Sequence, residues 1–207
     1  MLNAAGRLDA AIEAEVRNGV IDAAQRFSAY VDVRQIDVVI QLCEFEVHAR
    51  TFGPESFAIY LNPNDSILSE WTQGHFSHLA AHEFHHTLRW RSLSIRSFED
   101  WTPGEVLVLE GLATNCELFL RYPAHDALKV ADKLVEPLLD KLKPDVDARY
   151  SEVNWFDREA GLPCPGIRAA TAMGHLLVRR FLKQTNATPI SALAVPWREV
   201  WDTVMLQ

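Results

Sequence analysis

In the first third of the chain, the hydrophobic positions first recur at helical spacing and then form short runs typical of strands. Over residues 8–31 they recur at the spacing of an amphipathic helix, at Leu8, Ile12, Val16, Val20, Ile21 and Phe27. Asn18-Gly19 lies within this stretch and predicts a break between two helices. Two short apolar runs follow over 36–42 and 57–61, and the second ends at a turn signal, Asn62-Pro63-Asn64-Asp65. These runs predict two strands of a small sheet.

Helical periodicity dominates the rest of the chain. One helix is predicted to begin near Ser69 or Gly74 and to end at Arg91. The next begins at Thr102-Pro103-Gly104-Glu105, where a capping residue, a proline in the first turn and an early acid stand in the expected order. Further helices are expected over residues 126–142, around 150–160, over 167–183 and over 189–206. We therefore predict an α+β fold with a small sheet and a predominantly helical C-terminal half.

Composition narrows the class of protein. The 207 residues suffice for one domain, and no stretch rich in Pro, Gly or Ser divides them, so a single domain over 1–207 is expected. With 20 Lys and Arg against 28 Asp and Glu, the formal net charge of −8 argues against nucleic acid and anionic membranes as partners. The sequence has no signal-peptide core, no run of about 18 apolar residues and no CxxC pair among its three cysteines. These features predict a cytoplasmic protein with reduced thiols.

A complete HExxH runs from His82 to His86 within the first long helix after the strands. An α-helix turns once in about 3.6 residues, so the two imidazoles project from one face about 6 Å apart and can hold one metal ion. Glu83 lies about 100° further round, where its carboxylate can reach a water that the metal activates rather than the metal itself. His78 and His82 form a rival pair with the same spacing, but no carboxylate follows His78 directly. The pattern predicts a zinc site on His82 and His86 with Glu83 as general base.

The third ligand is expected on the helix that begins near Thr102. Its apolar side contains Val108, Leu109, Leu112, Cys116, Phe119 and Leu120, and a narrow polar stripe opposite contains Glu110, Thr114 and Glu117. A buried helix rarely carries a carboxylate without a partner, so Glu110, 24 residues after His86, is the predicted ligand. Glu117 and Glu105 are the alternatives on the same helix.

Three residues are candidates for substrate binding. Arg89 lies seven residues beyond His82 and on nearly the same helix face, where it could orient a carboxylate or a substrate carbonyl. The alternative for Arg89 is a surface salt bridge. The strand over 57–61 is expected to offer an open edge to an extended peptide, through alternate residues such as Ala58 and Tyr60. The alternative is an ordinary half-buried strand.

A polar stripe on the helix over 167–183 is the last candidate feature. Its members share the side opposite Met173, Leu177 and Phe181, and they are Arg168, Thr171, His175 and Arg179. This stripe is either a solvated face or the far wall of a cleft. In the second case His175 or Arg168 could stabilise the oxyanion of an acyl-transfer reaction.

The segment His82-Glu83-Phe84-His85-His86-Thr87-Leu88-Arg89, followed by Leu109-Glu110-Gly111-Leu112-Ala113, resembles the gluzincin metallopeptidases. It is most similar to a family of bacterial predicted Zn-dependent proteases that pair HExxHxxR with a downstream EGLA. The resemblance implies a zincin-like domain in which His82, His86 and Glu110 bind zinc and Glu83 is the catalytic carboxylate. That family tends to show Gly-Tyr-x-x-Gly in its late helix. This chain has Ala170-Thr171-Ala172-Met173-Gly174 there, without a tyrosine to polarise the substrate carbonyl.

Zinc-dependent hydrolysis of a peptide bond is the function that these features predict, with one zinc per chain and a peptide or protein as substrate. The metzincin pattern is absent, because Arg89 and Ser92 stand where its glycine and third histidine would be. Two alternatives remain: a non-catalytic zinc-binding regulatory or interaction protein, and a zinc hydrolase of a non-peptide amide. A structural zinc site normally has four protein ligands, often cysteines, and no cysteine lies at ligand spacing from His82 or His86.

Overall fold

The computed structural model describes residues 9–65, 68, 70–93, 101–123, 128, 132–150, 156 and 167–206. Its elements follow the order α1 (Ala10–Ser28), β1 (Asp37–Leu42), β2 (His48–Gly53), β3 (Ser56–Leu61), α2 (Gln73–Leu93), α3 (Pro103–Phe119), α4 (Asp132–Leu142), α5 (Ile167–Thr185) and α6 (Trp197–Met205). The fold is α+β with a small sheet, as the sequence pattern predicts. The chain divides into two compact units, Met1–Ser92 and Leu93–Gln207, and a single domain over 1–207 stays a prediction.

Helix α1 is continuous through the point where the sequence predicts a break. Asp9 caps it, because the Asp9 carboxylate accepts a hydrogen bond from the Ala11 amide at 2.8 Å. A Cβ atom at Gly19 would lie 2.6 Å from the Phe76 Cβ and 2.7 Å from the Ser77 amide nitrogen of α2. The predicted break is therefore wrong. Gly19 lets α1 and α2 approach closely, a role that glycine can fill inside a helix at a modest cost in propensity.

The three strands are ordered β1-β3-β2, so β3 lies in the middle of the sheet. It pairs with β1 in parallel and with β2 antiparallel. The two predicted strands are confirmed, but β2 was not predicted from the sequence. The buried residues of β2 are Thr51 and Gly53, which are polar or small, so the sequence shows no apolar run there. The burial of β2 alternates with the period of a half-buried strand.

In the second unit, α3 begins with a capping box. The Thr102 hydroxyl accepts from the Glu105 amide at 3.2 Å, and the Glu105 carboxylate accepts from the Thr102 amide at 2.7 Å. Helix α3 is buried around most of its circumference, and its predicted polar stripe is buried as well. Its apolar side chains share one core with residues of α4, α5 and α6.

Two of the remaining predicted helices are confirmed where the structure describes them. The helix predicted over 167–183 is α5, and the one predicted over 126–142 is α4, whose described part begins at Asp132. Most of the helix predicted around 150–160 lies outside the described residues. The helix predicted over 189–206 is wrong in its first half, because residues 189–194 form turns and α6 begins only at Trp197. Among the described helices, none is both long and apolar enough to cross a membrane.

Candidate metal centre and active site

Helix α2 presents His82 and His86 to one another across a single turn. Their ring centroids are 4.4 Å apart, and the rings stand nearly perpendicular at 85°. His86 is buried and His82 is half-buried. The HExxH segment thus folds as the helix that its spacing predicts, with both imidazoles on one face.

One ligand atom from each of His82, His86 and Glu110 lies within 4.8 Å of the other two. Two imidazole nitrogens and one carboxylate oxygen are a donor set that zinc accepts, and three protein ligands leave its fourth position open for chemistry. Within the described part of the chain, no other group of three His, Cys, Asp or Glu side chains comes together in this way. The residues therefore fit a zinc ion. The rival histidine, His78, is not part of the group.

The two alternative carboxylates on α3 lie outside this group. Glu105 accepts the hydrogen bond from the Thr102 amide that closes the capping box. Glu117 is buried at 4% exposure, but its carboxylate is not among the atoms that converge. Glu110 is the carboxylate of α3 that the structure brings to the histidines.

Glu83 is buried beside a hydroxyl group that sequence reasoning did not identify. Thr51 of β2 donates a hydrogen bond from Oγ1 to Oε2 of Glu83 at 2.7 Å. Thr87 donates to the main-chain carbonyl of Glu83 at 2.8 Å. Glu83 does not belong to the ligand group, which agrees with a carboxylate that acts on water rather than on the metal. Only the period-two pattern of β2 could have drawn attention to Thr51.

Two threonines of the same unit donate hydrogen bonds to Glu110. Thr114, one turn later on α3, donates to the Glu110 main-chain carbonyl at 2.7 Å. Thr171 of α5 donates from Oγ1 to Oε2 of the Glu110 carboxylate at 3.2 Å. All three residues are buried. One oxygen of the predicted metal ligand is therefore already engaged by a protein hydroxyl.

The family model described as "Predicted Zn-dependent protease (DUF2268)" matches residues 51–202, which is more than half of the chain. The chain belongs to this family of predicted Zn-dependent proteases. The matched segment includes the HExxH residues, Glu110, and the two threonines that bind Glu83 and Glu110 through their side chains. No curated protein and no solved structure matches the chain.

In this member of the family, the polar stripe on α5 is not a solvated face throughout. Thr171 and His175 are buried, whereas the Arg179 side chain is 47% exposed and forms an ion pair with Asp132 at 2.5 Å. The solvated alternative is therefore wrong for Thr171 and His175. The side chain of Arg168 lies outside the described residues.

The pKa of His175 lies well below that of an ordinary imidazole. Burial and, to a lesser extent, the nearby Arg179 guanidinium lower it from 6.5 to about 4, against smaller opposing effects of Asp132 and Glu117. Its Nδ1 has no hydrogen-bond partner among the residues that the structure describes. Asn115 of α3 donates to the His175 main-chain carbonyl at 3.3 Å and thereby joins the two helices. A catalytic role for His175 stays a prediction.

Arg89 is 3% exposed, so the alternative of a surface salt bridge is wrong. A charged guanidinium is rarely buried without a partner, and its predicted role in orienting a carboxylate or a substrate carbonyl stays a prediction.

The open edge predicted for the strand over 57–61 is wrong, because β1 and β2 flank β3 on both sides. Thr51 is in register with Phe57, so Phe57 shares the face that turns toward Glu83. Ala58 and Tyr60 point to the other face. Ala58 is fully buried, and Tyr60 stacks on His48 with ring centroids 4.6 Å apart. A peptide strand cannot pair with Ala58 and Tyr60 while both neighbouring strands are in place.

Proposed function

We propose that the protein is a zincin-like zinc peptidase that hydrolyses a peptide bond. The observation that carries the proposal is the convergence of ligand atoms of His82, His86 and Glu110 within 4.8 Å, with the buried Glu83 carboxylate one residue after the first ligand. Membership of a family of predicted Zn-dependent proteases supports the same reading. His82, His86 and Glu110 would hold one zinc ion.

The chemistry divides between the ion and the carboxylate. Zinc bound by two histidines and a glutamate lowers the pKa of a water toward about 7 and polarises a carbonyl. Glu83 would take the proton from the attacking water and pass it to the leaving amine, so that the C–N bond breaks and the carboxylate is regenerated. The Thr51 hydroxyl holds Oε2 of Glu83 and fixes the plane of the carboxylate during both transfers.

The position of β2 supports a polypeptide as the substrate. Among the described strands, β2 pairs with β3 alone, so its other edge can accept an extended chain. Thr51 lies on this strand and contacts Glu83, which puts the edge beside the general base. A polypeptide bound along β2 would therefore present its main chain to the site, and side-chain selectivity would come from alternate positions.

Replacement of Glu83 by Gln tests the proposal. Glutamine keeps the size and most hydrogen bonds of glutamate but cannot act as the base, so the variant should fold, hold zinc like the parent protein and lose at least about 10²-fold in kcat on a cleaved peptide. Zinc content and turnover must be measured on the same preparation, because loss of activity with loss of zinc says nothing about the proton.

Equal turnover by both proteins would contradict Glu83 as the base. Turnover of simple amides but of no peptide in a peptide library would favour a zinc hydrolase of a non-peptide amide. No turnover of either class by a protein that holds one zinc would favour a non-catalytic zinc-binding protein.

A further inference from the structure

The two helices that contain Glu110 and Thr171 cross with almost no separation between their backbones. A Cβ atom on Gly111 would collide with the carbonyl of Gly174, and one on Gly174 would collide with the carbonyl of Leu107. Gly111 directly follows Glu110, and Gly174 lies one turn after Thr171. Because the two helices are so close, even a side chain as short as threonine on α5 can reach the Glu110 carboxylate.

At this crossing the Thr171 hydroxyl binds the carboxylate of Glu110. Its Oγ1 donates to Oε2 of Glu110 at 3.2 Å, with Thr171 9% and Glu110 8% exposed. A hydrogen bond to a charged oxygen in such a poorly hydrated place is stronger than a neutral one.

We infer that Thr171 is a positioning residue for the metal ligand Glu110, an inference that rests on the metal site of the proposed function. A carboxylate can bind an ion through one oxygen or through both. With Oε2 engaged by Thr171, the Glu110 carboxylate would keep one orientation before an ion binds. Partners that orient a ligand in this way typically change metal affinity by about 10- to 100-fold when they are removed.

Two substitutions at position 171 separate the hydroxyl from the shape of the side chain. Thr171→Val keeps the branched shape and removes the donor, and Thr171→Ser keeps the donor. Thr114→Val is the matched control, because it removes a buried threonine hydroxyl that binds the Glu110 main-chain carbonyl rather than its carboxylate. The dissociation constant for zinc alone is measured for each protein by competition with a chromophoric chelator.

We expect Thr171→Val to bind zinc about 10- to 100-fold more weakly than the parent protein. Thr171→Ser and Thr114→Val should stay within about threefold of it, since both keep the donor to Oε2. Thermal unfolding of the zinc-free proteins supplies a second readout. Both valine variants should remain folded there, so that weaker zinc binding by Thr171→Val is not a consequence of unfolding.

Unchanged zinc affinity in Thr171→Val overturns the inference. An equal loss in Thr114→Val also overturns it, because any damage to the packing of α3 would then suffice. If Thr171→Val does not fold, Thr171→Ala against Thr171→Ser decides: equal affinity of these two overturns the role of the hydroxyl, and weaker binding by the alanine variant alone supports it. The titration needs no peptide turnover, so failure of the peptidase proposal leaves this result interpretable.

Discussion

The Thr51 hydroxyl donates a 2.7 Å hydrogen bond to Oε2 of Glu83, although the two residues are 32 positions apart in the chain. Both side chains are about 5% exposed. The contact joins strand β2 to the HExxH turn of α2, so a residue outside the HExxH segment helps to orient the Glu83 carboxylate. A fixed carboxylate is what proton transfer at a defined water position requires.

Removal of this hydroxyl should therefore slow the chemical step. We expect Thr51→Val to lower kcat roughly tenfold with little change in KM or zinc content, because a hydrogen bond to a charged group contributes about 1.5–3 kcal/mol. Thr51→Ser should recover most of the loss. Thr87→Val is the matched control, since the Thr87 hydroxyl donates to the main-chain carbonyl of Glu83 rather than to its carboxylate. Parent-like kcat in Thr51→Val would remove Thr51 from the mechanism.

The ligand set is tested by metal content. The purified protein should contain about one equivalent of zinc, and alanine at His82, His86 or Glu110 should remove it. Glu117→Ala is the control, since it removes a buried carboxylate of the same helix that lies outside the group. Full zinc retention in Glu110→Ala would contradict the assignment.

Zinc should also raise the stability of the folded protein, because an ion that binds only the folded state shifts the unfolding equilibrium. Free zinc at about 100 times its dissociation constant should add roughly 2.7 kcal/mol to the free energy of unfolding. Thermal unfolding with zinc and with excess chelator measures the difference. The same comparison with Glu110→Ala should show almost no effect of zinc, and an equal effect would mean that zinc stabilises the protein elsewhere.

A structure of the complex with a peptide hydroxamate tests where the main chain of a bound substrate lies. We expect the inhibitor to lie extended along the outer edge of β2, with main-chain hydrogen bonds to alternate residues of His48–Gly53. Strand β1, the other edge strand of the described sheet, is the internal comparison. An inhibitor paired with β1, or one that does not follow a strand, would separate substrate binding from β2.

His175 should make stability depend on pH in the acid range. Because burial holds the pKa of His175 near 4 in the folded protein, the unfolded chain takes up a proton below about pH 6.5 that the folded chain does not. Stability should be complete above pH 6.5 and fall as the pH drops toward 4, by an amount on the order of 2 kcal/mol after allowance for partial solvation.

Denaturant unfolding of the zinc-free protein at several pH values measures this dependence without a contribution from metal release. His175→Gln should reduce the slope of the curve between pH 6.5 and 4, and the same substitution at the exposed His48 is the control for replacement of a histidine. A curve for His175→Gln parallel to that of the parent protein would show that other groups cause the acid sensitivity.

The sequence by itself determined the features that depend on local spacing. Histidines four residues apart share a helix face in any α-helix, so His82 and His86 could be paired before the fold was known. Glu110 was accessible by a similar argument, since a carboxylate on a largely apolar helix needs a partner. The capping box at Thr102 and Glu105 likewise lies within four residues.

Only the tertiary structure could determine the features that depend on contacts between residues far apart in the sequence. From the sequence alone, Gly19 predicts a helix break, but in the structure it lies inside α1 where α2 packs against it. The order of the strands puts β3 in the middle of the sheet and leaves β1 and β2 at its edges. The sequence could not predict this order, because strand pairing joins segments whose sequences do not indicate their neighbours. Thr51 and Thr171 are ordinary threonines in the sequence. They become partners of Glu83 and Glu110 only because a sheet and a tight helix crossing bring short hydroxyl side chains within hydrogen-bonding distance of carboxylates that lie 32 and 61 residues away.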